Sequence, residues 1–290
     1  MTVLVTGATG HVGRRVVERL VRAGAQVRAM TRRPDRAAVL PGGVDVVRGD
    51  LDVPSSLTAA LRGVERMYLF PVAATAADVA GAAVAAGVRR IVTLSSGAVE
   101  GGYDTGFHLP VERAVEASGA AWTHVRPGEF MLNKLWLWGA SIRAGDVVRD
   151  PYPDAAWCPV HEDDIADVAA AALLEDGHAG RAYMLNGPEF LTHREQVRLI
   201  GDAVGRDVRF ERVTPVQARD DYRRQGGFAA ENADFLLGFE SYSGEPADPA
   251  DRSAVDLSAL GPLPTARDVT GRPARTFAQW ARDHADDFRS

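Results

Sequence analysis

Val3, Leu4 and Val5 form an apolar run that breaks at Thr6-Gly7-Ala8-Thr9-Gly10, after which hydrophobic residues return at helical spacing: Val12, Val16, Val17, Leu20 and Val21. A short apolar run followed by a 3.6-residue period predicts a strand, a turn and a helix. The same alternation continues. Strands are expected at residues 26–30, 44–50, 66–70, 89–94 and 122–126, with Pro34 and Pro127 as stops. Helices are expected at 57–61, capped by Ser55 or Ser56, at 76–86 before Gly87, and at 111–118 before Gly119. Strands alternating with helices make βαβ units, so the expected fold class is α/β with a doubly wound parallel sheet, whose ligands collect at the carboxyl ends of its strands.

Beyond residue 128 the alternation loosens into what reads as loops carrying Trp136, Trp138, Tyr152 and Trp157. Further elements are expected at 163–174 (helix), 181–185 (strand), 192–204 (helix), 208–212 (strand) and from Pro215 (helix). The division expected is a first domain over 1–150, returning at 155–190, and a smaller α/β lobe over 190–290 that covers the site. The Ser-, Gly-, Pro- and Asp-rich stretch 242–252 reads as a mobile loop.

The glycine turn carries the first chemistry. In Gly7-Ala8-Thr9-Gly10-His11-Val12-Gly13, Gly7 permits the tight turn, Gly10 lets the backbone approach a pyrophosphate, and Gly13 lets the helix pack close to the strand. The helix start adds free N–H groups and the positive end of its dipole. Preceded by a strand and followed by a helix, the motif indicates a Rossmann-type dinucleotide site. Past the second strand, where an NAD-specific unit carries an acid, the chain has Arg32 and Arg33. Guanidinium groups suit a 2′-phosphate, which favours NADP(H) over NAD(H); the bland alternative is a solvated turn. Asp50, followed by Leu51, either meets the adenine or caps a turn.

One residue type is nearly missing: Lys134 is the only lysine among 33 basic residues. A Tyr with a Lys four residues on is the usual proton relay of short-chain dehydrogenases. Tyr103 is followed at that spacing by Phe107, and the residue four before Lys134 is Phe130, so the relay cannot be assembled. The remaining catalytic candidates are His108, Tyr103 and Ser96. His108 is the best proton donor, and Glu112 four residues on could orient its ring; a surface or capping pair is the alternative. Ser95 and Ser96 suit bonding to cofactor or backbone better than nucleophilic attack, because no Gly-x-Ser-x-Gly elbow is present. Tyr103 suits a loop aromatic better than a catalyst.

His161, Glu162, Asp163 and Asp164 read as the acidic first turn of a helix, and no metal site is expected. Trp136 and Trp138, with Phe130 and Asn133, are candidates for the wall of a substrate pocket, core packing being the alternative for the tryptophans.

Composition narrows the rest. With 290 residues and 46% apolar content the chain can bury a sizeable core. A lone cysteine, Cys158, rules out an internal disulfide and fits a reducing compartment. A first strand at residue 2 or 3 leaves no room for a signal peptide, and the alanine-rich run at 73–88 is interrupted by Asp78, so a cytoplasmic protein with no membrane association is expected. Net charge −6 disfavours nucleic acid as a partner. A small-molecule substrate is expected, and the sequence does not choose between monomer and homodimer.

Several stretches together resemble the NmrA-like family of atypical short-chain dehydrogenase/reductases, which includes quinone-reductase-like and isoflavone-reductase-like members. They are Thr6-Gly7-Ala8-Thr9-Gly10-His11-Val12-Gly13, the segments 108–112 and 118–123, Arg126-Pro127-Gly128-Glu129-Phe130-Met131-Leu132-Asn133, Val160-His161-Glu162-Asp163-Asp164-Ile165-Ala166 and the tail 270–277. The resemblance implies cofactor contacts at residues 7–13, Arg32, Asp50, Leu51, Phe70, Pro71, Ser95 and Pro127. Some members carry a catalytic lysine after strand five, where this chain has none and His108 is the nearest stand-in. The leading expectation is an NAD(P)H-dependent reductase of a small conjugated carbonyl or quinone-like metabolite, with His108, or water held by Ser96 or Tyr103, completing protonation. A non-catalytic NADP(H) sensor, or an isomerase, dehydratase or cyclase without net redox, are the alternatives.

Overall fold

The computed structural model describes residues 1–252 and 261–289. Its strands are β1 (Thr2–Val5), β2 (Gln26–Thr31), β3 (Asp45–Arg48), β4 (Arg66–Leu69), β5 (Arg90–Leu94), β6 (Ala121–Pro127), β7 (Val147–Asp150), β8 (Ala156–Trp157), β9 (Arg181–Leu185), β10 (Leu191–Thr192) and β11 (Arg209–Arg212). The helices that matter for the site are α1 (His11–Arg22), α2 (Thr58–Leu61), α3 (Ala76–Ala85), α4 (Gly97–Glu100), α5 (His108–Ala117), α6 (Asn133–Gly145), α7 (Glu162–Leu174) and α8 (His193–Val204).

The chain divides into two compact units, the first made of Met1–Pro127, Glu162–Leu185 and Thr265–Arg272. Its seven strands run in the order β3-β2-β1-β4-β5-β6-β9, every pair parallel. The order reverses between β1 and β4, which is where a doubly wound sheet opens its ligand crevice. Val3, Leu4 and Val5 of the central strand are fully buried, because helices cover both faces of such a sheet. Leu4, Met67 and Ile91 meet Leu61, Val79, Val111 and Val115 in one apolar layer. On α1 the buried stripe is Val12, Val16, Val17 and Leu20.

The acidic start of α7 is tied to α1. Arg15 reaches Glu162 at 2.8 Å and Asp163 at 3.1 Å, while Arg19 reaches Asp163 at 2.7 Å and Asp167 at 2.5 Å. The carboxylates thus pair with arginines as well as sitting at a helix start, where the dipole favours them.

The second unit comprises Gly128–His161, Asn186–Pro264 and Pro273–Ser290. It holds a parallel pair, β7 with β11, and an antiparallel pair, β8 with β10. Trp138, Ile142, Val148, Ile200, Phe277, Trp280 and Phe288 form its core. Two expectations are corrected here. Residues 133–145 are the helix α6, not a loop, and the first unit ends at Pro127, not near residue 150. The reason is that β7 finds its partner about sixty residues later in β11, a pairing no local pattern announces. Within the stretch read as a loop, Ser241 N–H donates to the Glu245 carbonyl at 2.8 Å and Ala247 N–H to that of Phe239 at 2.9 Å, so part of it is a closed turn.

Candidate functional site

The turn after β1 is shaped by what its glycines lack. Gly7 has φ +58°, in the left-handed region, and a Cβ there would stand 3.2 Å from that of Phe70. At Gly13 a Cβ would fall 2.2 Å from the Gly7 carbonyl oxygen and 2.8 Å from its carbon, so α1 can start this close to the turn only with glycine. The turn is closed by Gly10 N–H donating to the Gly7 carbonyl at 2.9 Å. Gly10 caps α1 without a side chain, and the first turn of the helix contains no acid. The positive end of the dipole is therefore left for an anion. Thr6, which carries no signal of its own beyond its place in the motif, locks this arrangement: its hydroxyl donates to the Tyr68 carbonyl at 3.0 Å and accepts from Phe70 N–H at 2.7 Å.

At the end of β2, Thr31 lies 3.4 Å from the Thr9 hydroxyl and accepts from Arg33 N–H at 3.2 Å, which links the glycine turn to the arginine pair. Arg32 and Arg33 are exposed, and neither guanidinium has an acidic partner among the described residues. Asp50 is half-buried and its carboxylate accepts from Asp52 N–H at 3.1 Å, the turn-capping role. The Ser56 hydroxyl bonds to the Asp50 backbone, so neither it nor Ser55 caps a helix, and the segment before α2 is a 3-10 turn. Leu51 and Pro71 are buried, whereas Phe70 stays 45% exposed beside Gly7. This set (the turn, the uncapped helix start, the two arginines and a partly bared aromatic) fits a phosphorylated dinucleotide, the close approach at Gly10 and Gly13 being the feature that a side chain would abolish. His11 and Val12 supply the first amides of that helix.

At the end of β5 the roles differ from the expectation. Ser95 is buried and its hydroxyl donates to Glu112 Oε1 at 2.5 Å. Arg126 grips the same carboxylate with Nε at 2.9 Å and Nη2 at 2.6 Å, and also bonds Glu100. Burial pushes the Glu112 carboxyl up, but the hydrogen bonds from Arg126 and Ser95 outweigh it and hold it below the ordinary carboxylate value. Glu112 therefore does not orient His108, although α5 does begin at that residue. Asp104 does. Its Oδ2 lies 2.5 Å from His108 Nδ1, and its Oδ1 accepts from the Phe107 and His108 amides at 2.9 and 3.1 Å. Burial raises the Asp104 carboxyl, yet the His108 side chain and the two amides bring it below its ordinary value, so the imidazole is the donor in that bond. The signal was available, since Asp104 and His108 have the same four-residue spacing as His108 and Glu112.

Ser96 caps α4, accepting from Ala98 N–H at 3.2 Å, and Tyr103 is 60% exposed with its ring over Gly101. Pro127 is buried at the end of β6. Among the described residues, Glu112, Glu116 and His124 form a group close enough to share a cation, with ligand atoms within 4.8 Å of one another. Arg126 already neutralises Glu112 there, so an ion pair explains the group.

In the second unit Phe130, Asn133 and Trp136 are half-buried. Trp138 is 1% exposed and belongs to the core, which corrects its reading as a pocket wall. Trp136 lies against Phe228 with ring centroids 4.8 Å apart, in an open groove with Leu135, Ala140 and Arg143. Lys134 is buried as well, 2.8 Å from Glu129 Oε1, 3.4 Å from His193 Nε2 and 4.7 Å from the Trp138 ring centroid.

Comparison with known proteins gives this arrangement relatives. A model of the NmrA-like family matches residues 1–245. The (4-alkanoyl-5-oxo-2,5-dihydrofuran-3-yl)methyl phosphate reductase of Streptomyces griseus is 41% identical over 99% of both chains. The NAD(P)H azoreductase of Xenophilus azovorans is 35% identical, again over 99% of both. Among solved structures, the NADPH-dependent quinone oxidoreductase QOR2 of Escherichia coli complexed with NADPH matches with a TM-score of 0.75 and 25% identity, covering 98% of this chain and 99% of that one.

Proposed function

Because the chain belongs to the NmrA-like family of atypical short-chain dehydrogenase/reductases, we propose that it is an NADPH-dependent reductase of small conjugated carbonyl or quinone-like acceptors. When bound, the reduced nicotinamide supplies a hydride. The residues of this chain do the rest. Gly7, Gly10 and Gly13 bring backbone amides within reach of a pyrophosphate, and the start of α1 favours its charge. Arg32 and Arg33 hold the 2′-phosphate. The observation that carries the reading is Gly13, where any side chain would collide with the backbone of the turn.

The acceptor class is supported by the names of the relatives. The dihydrofuran of the 41% identical protein has, by its name, an alkene conjugated to two carbonyls, and the other two proteins act on azo compounds and quinones. Such acceptors are electron-poor and take hydride without strong acid assistance, which suits a chain whose Tyr103 lacks a lysine four residues on. No helix among the described residues is long and apolar enough to cross a membrane, and a cytoplasmic enzyme is part of this reading.

Steady-state kinetics with NADPH and NADH test the proposal. With a panel of enones and quinones, wild type should prefer NADPH, and Arg32→Ala combined with Arg33→Ala should lower kcat/KM for NADPH about 10- to 100-fold, the worth of one or two exposed charge-assisted bonds. The NADH values should hardly move. Equal losses with both cofactors would remove the 2′-phosphate role, and no turnover with any acceptor would remove the reductase.

A further inference from the structure

We infer that Asp104 and His108 form the proton-delivering pair of this enzyme, His108 as the catalytic residue and Asp104 as the residue that positions it. The inference rests on the reductase reading above and adds the group that completes the reaction.

The placement comes from α5. This helix follows β5, and Glu112 stands at the level of the last strand residues because it bonds Ser95 at the end of β5. His108 is four residues earlier, about one turn, or roughly 6 Å, farther out. That puts it beyond the carboxyl edge of the sheet, where a doubly wound fold holds its reactants. The loop between is not slack: the amides of Tyr103 and Asp104 both donate to the Ala98 carbonyl, at 2.9 and 3.1 Å, and fix Asp104 against the end of α4.

The two side chains are unequally exposed. Asp104 retains 2% of its side-chain surface and His108 19%, so the carboxylate is enclosed and the ring has an edge left for solvent or substrate. With Nδ1 bonded to Asp104, that edge carries Nε2. A carboxylate on one ring nitrogen fixes the tautomer and orientation of the other, the arrangement by which histidine exchanges protons with a reactant. Phe107 packs edge-on against the ring, centroids 4.7 Å apart, and limits its rotation. Glu112, one turn along the helix, is bonded to Arg126 of β6, which also bonds Glu100 of α4, so the imidazole is left to Asp104.

An enone that has accepted a hydride from the reduced nicotinamide carries the displaced π pair as an enolate. In its imidazolium form His108 carries a proton on each ring nitrogen: the Nε2–H bond breaks, that proton bonds to the enolate, and the neutral ring keeps the electron pair on Nε2 and its Nδ1–H toward Asp104 until water returns a proton. The sum is acceptor, reduced cofactor and one proton giving saturated product and oxidised cofactor.

The test uses the full-length protein with NADPH and an enone that wild type reduces. His108→Ala should lower kcat about 10²- to 10⁴-fold, the usual share of a general acid, with the calorimetric Kd for NADPH within twofold of wild type. Added imidazole should restore part of the rate. Asp104→Asn keeps an oxygen for the two amides but removes the carboxylate from Nδ1; it should lower kcat 10-fold or more, leave KM for the enone within about threefold, and abolish the downfield NMR signal of the His108 Nδ1 proton. Should His108→Ala not fold, His108→Gln carries the same measurement. Full turnover by either His108 variant overturns the inference while leaving the reductase intact, and so does an Asp104→Asn protein that loses the NMR signal but keeps its kcat. A wild type that binds NADPH and reduces nothing overturns both.

Discussion

Gly13→Ala separates two opposing predictions. Alanine in place of glycine inside a helix is worth about 1 kcal/mol of added stability from backbone entropy and propensity. Against this, the new methyl would lie 2.2 Å from the Gly7 oxygen. An ordinary carbon–oxygen contact is about 3.3 Å, so the start of α1 must retreat by about 1 Å. The obstacle is backbone on both sides and cannot swing away. Overpacking of this kind costs about 1–3 kcal/mol, which for a chain of this size lowers Tm by about 2–5 °C. A 1 Å retreat also breaks at least one amide bond to a phosphate, worth about 1.5–3 kcal/mol, so the Kd for NADPH should rise about 10- to 100-fold. Calorimetry and thermal melts give both numbers. Gly81→Ala is the control, because Gly81 lies in α3 and a Cβ there meets nothing within 4 Å; it should melt higher and bind NADPH normally. A Gly13→Ala protein with wild-type affinity for NADPH would refute the cradle.

Two further outcomes concern stability. Glu112→Gln should destabilise the fold by about 3 kcal/mol in urea titrations, because Arg126 keeps only the exposed Glu100 as a charged partner; a change below 0.5 kcal/mol, within the range of an ordinary surface substitution, would mean the pair is not formed. Acidification should weaken the protein in two stages. His124 is fully buried, and burial lowers its pKa from 6.5, so the unfolded chain takes up that proton first and stability falls below about pH 6.5. Asp104, Glu112 and Asp150 are held below their ordinary values of 3.8, 4.5 and 3.8, so a second loss begins below about pH 4.5 and continues through the folded-state values. Urea midpoints from pH 8 to 3 should trace both stages, and a midpoint unchanged down to pH 3 would contradict the buried network.

Much of the first unit was legible because its signals are local. The apolar run of β1, the glycines and the stripe on α1 lie within twenty-two residues, and each obeys its own period. What failed was non-local or all-round. In α6, Leu135, Trp136, Leu137, Trp138, Ala140 and Ile142 surround the axis without leaving a polar face, so no stripe marks a helix. The boundary at Pro127 depends on β7 meeting β11. Asp104 does not stand out in the sequence because Gly101-Gly102-Tyr103-Asp104-Thr105-Gly106 has the composition of a turn, and the closure of that loop onto Ala98 is what brings its carboxylate to His108. The Glu112 spacing was equally good on paper; Ser95 and Arg126, reached through the sheet, decided against it.

The pairing of Arg15 and Arg19 with Glu162, Asp163 and Asp167 has a consequence for how the protein is made. The first helix leaves the ribosome early, but the carboxylates that hold it appear some 150 residues later, and the last strand of the sheet ends only at Leu185. The glycine motif is thus translated well before the carboxylates that brace its helix, and synthesis must reach α7 before the nascent polypeptide can hold its binding loop in the folded geometry.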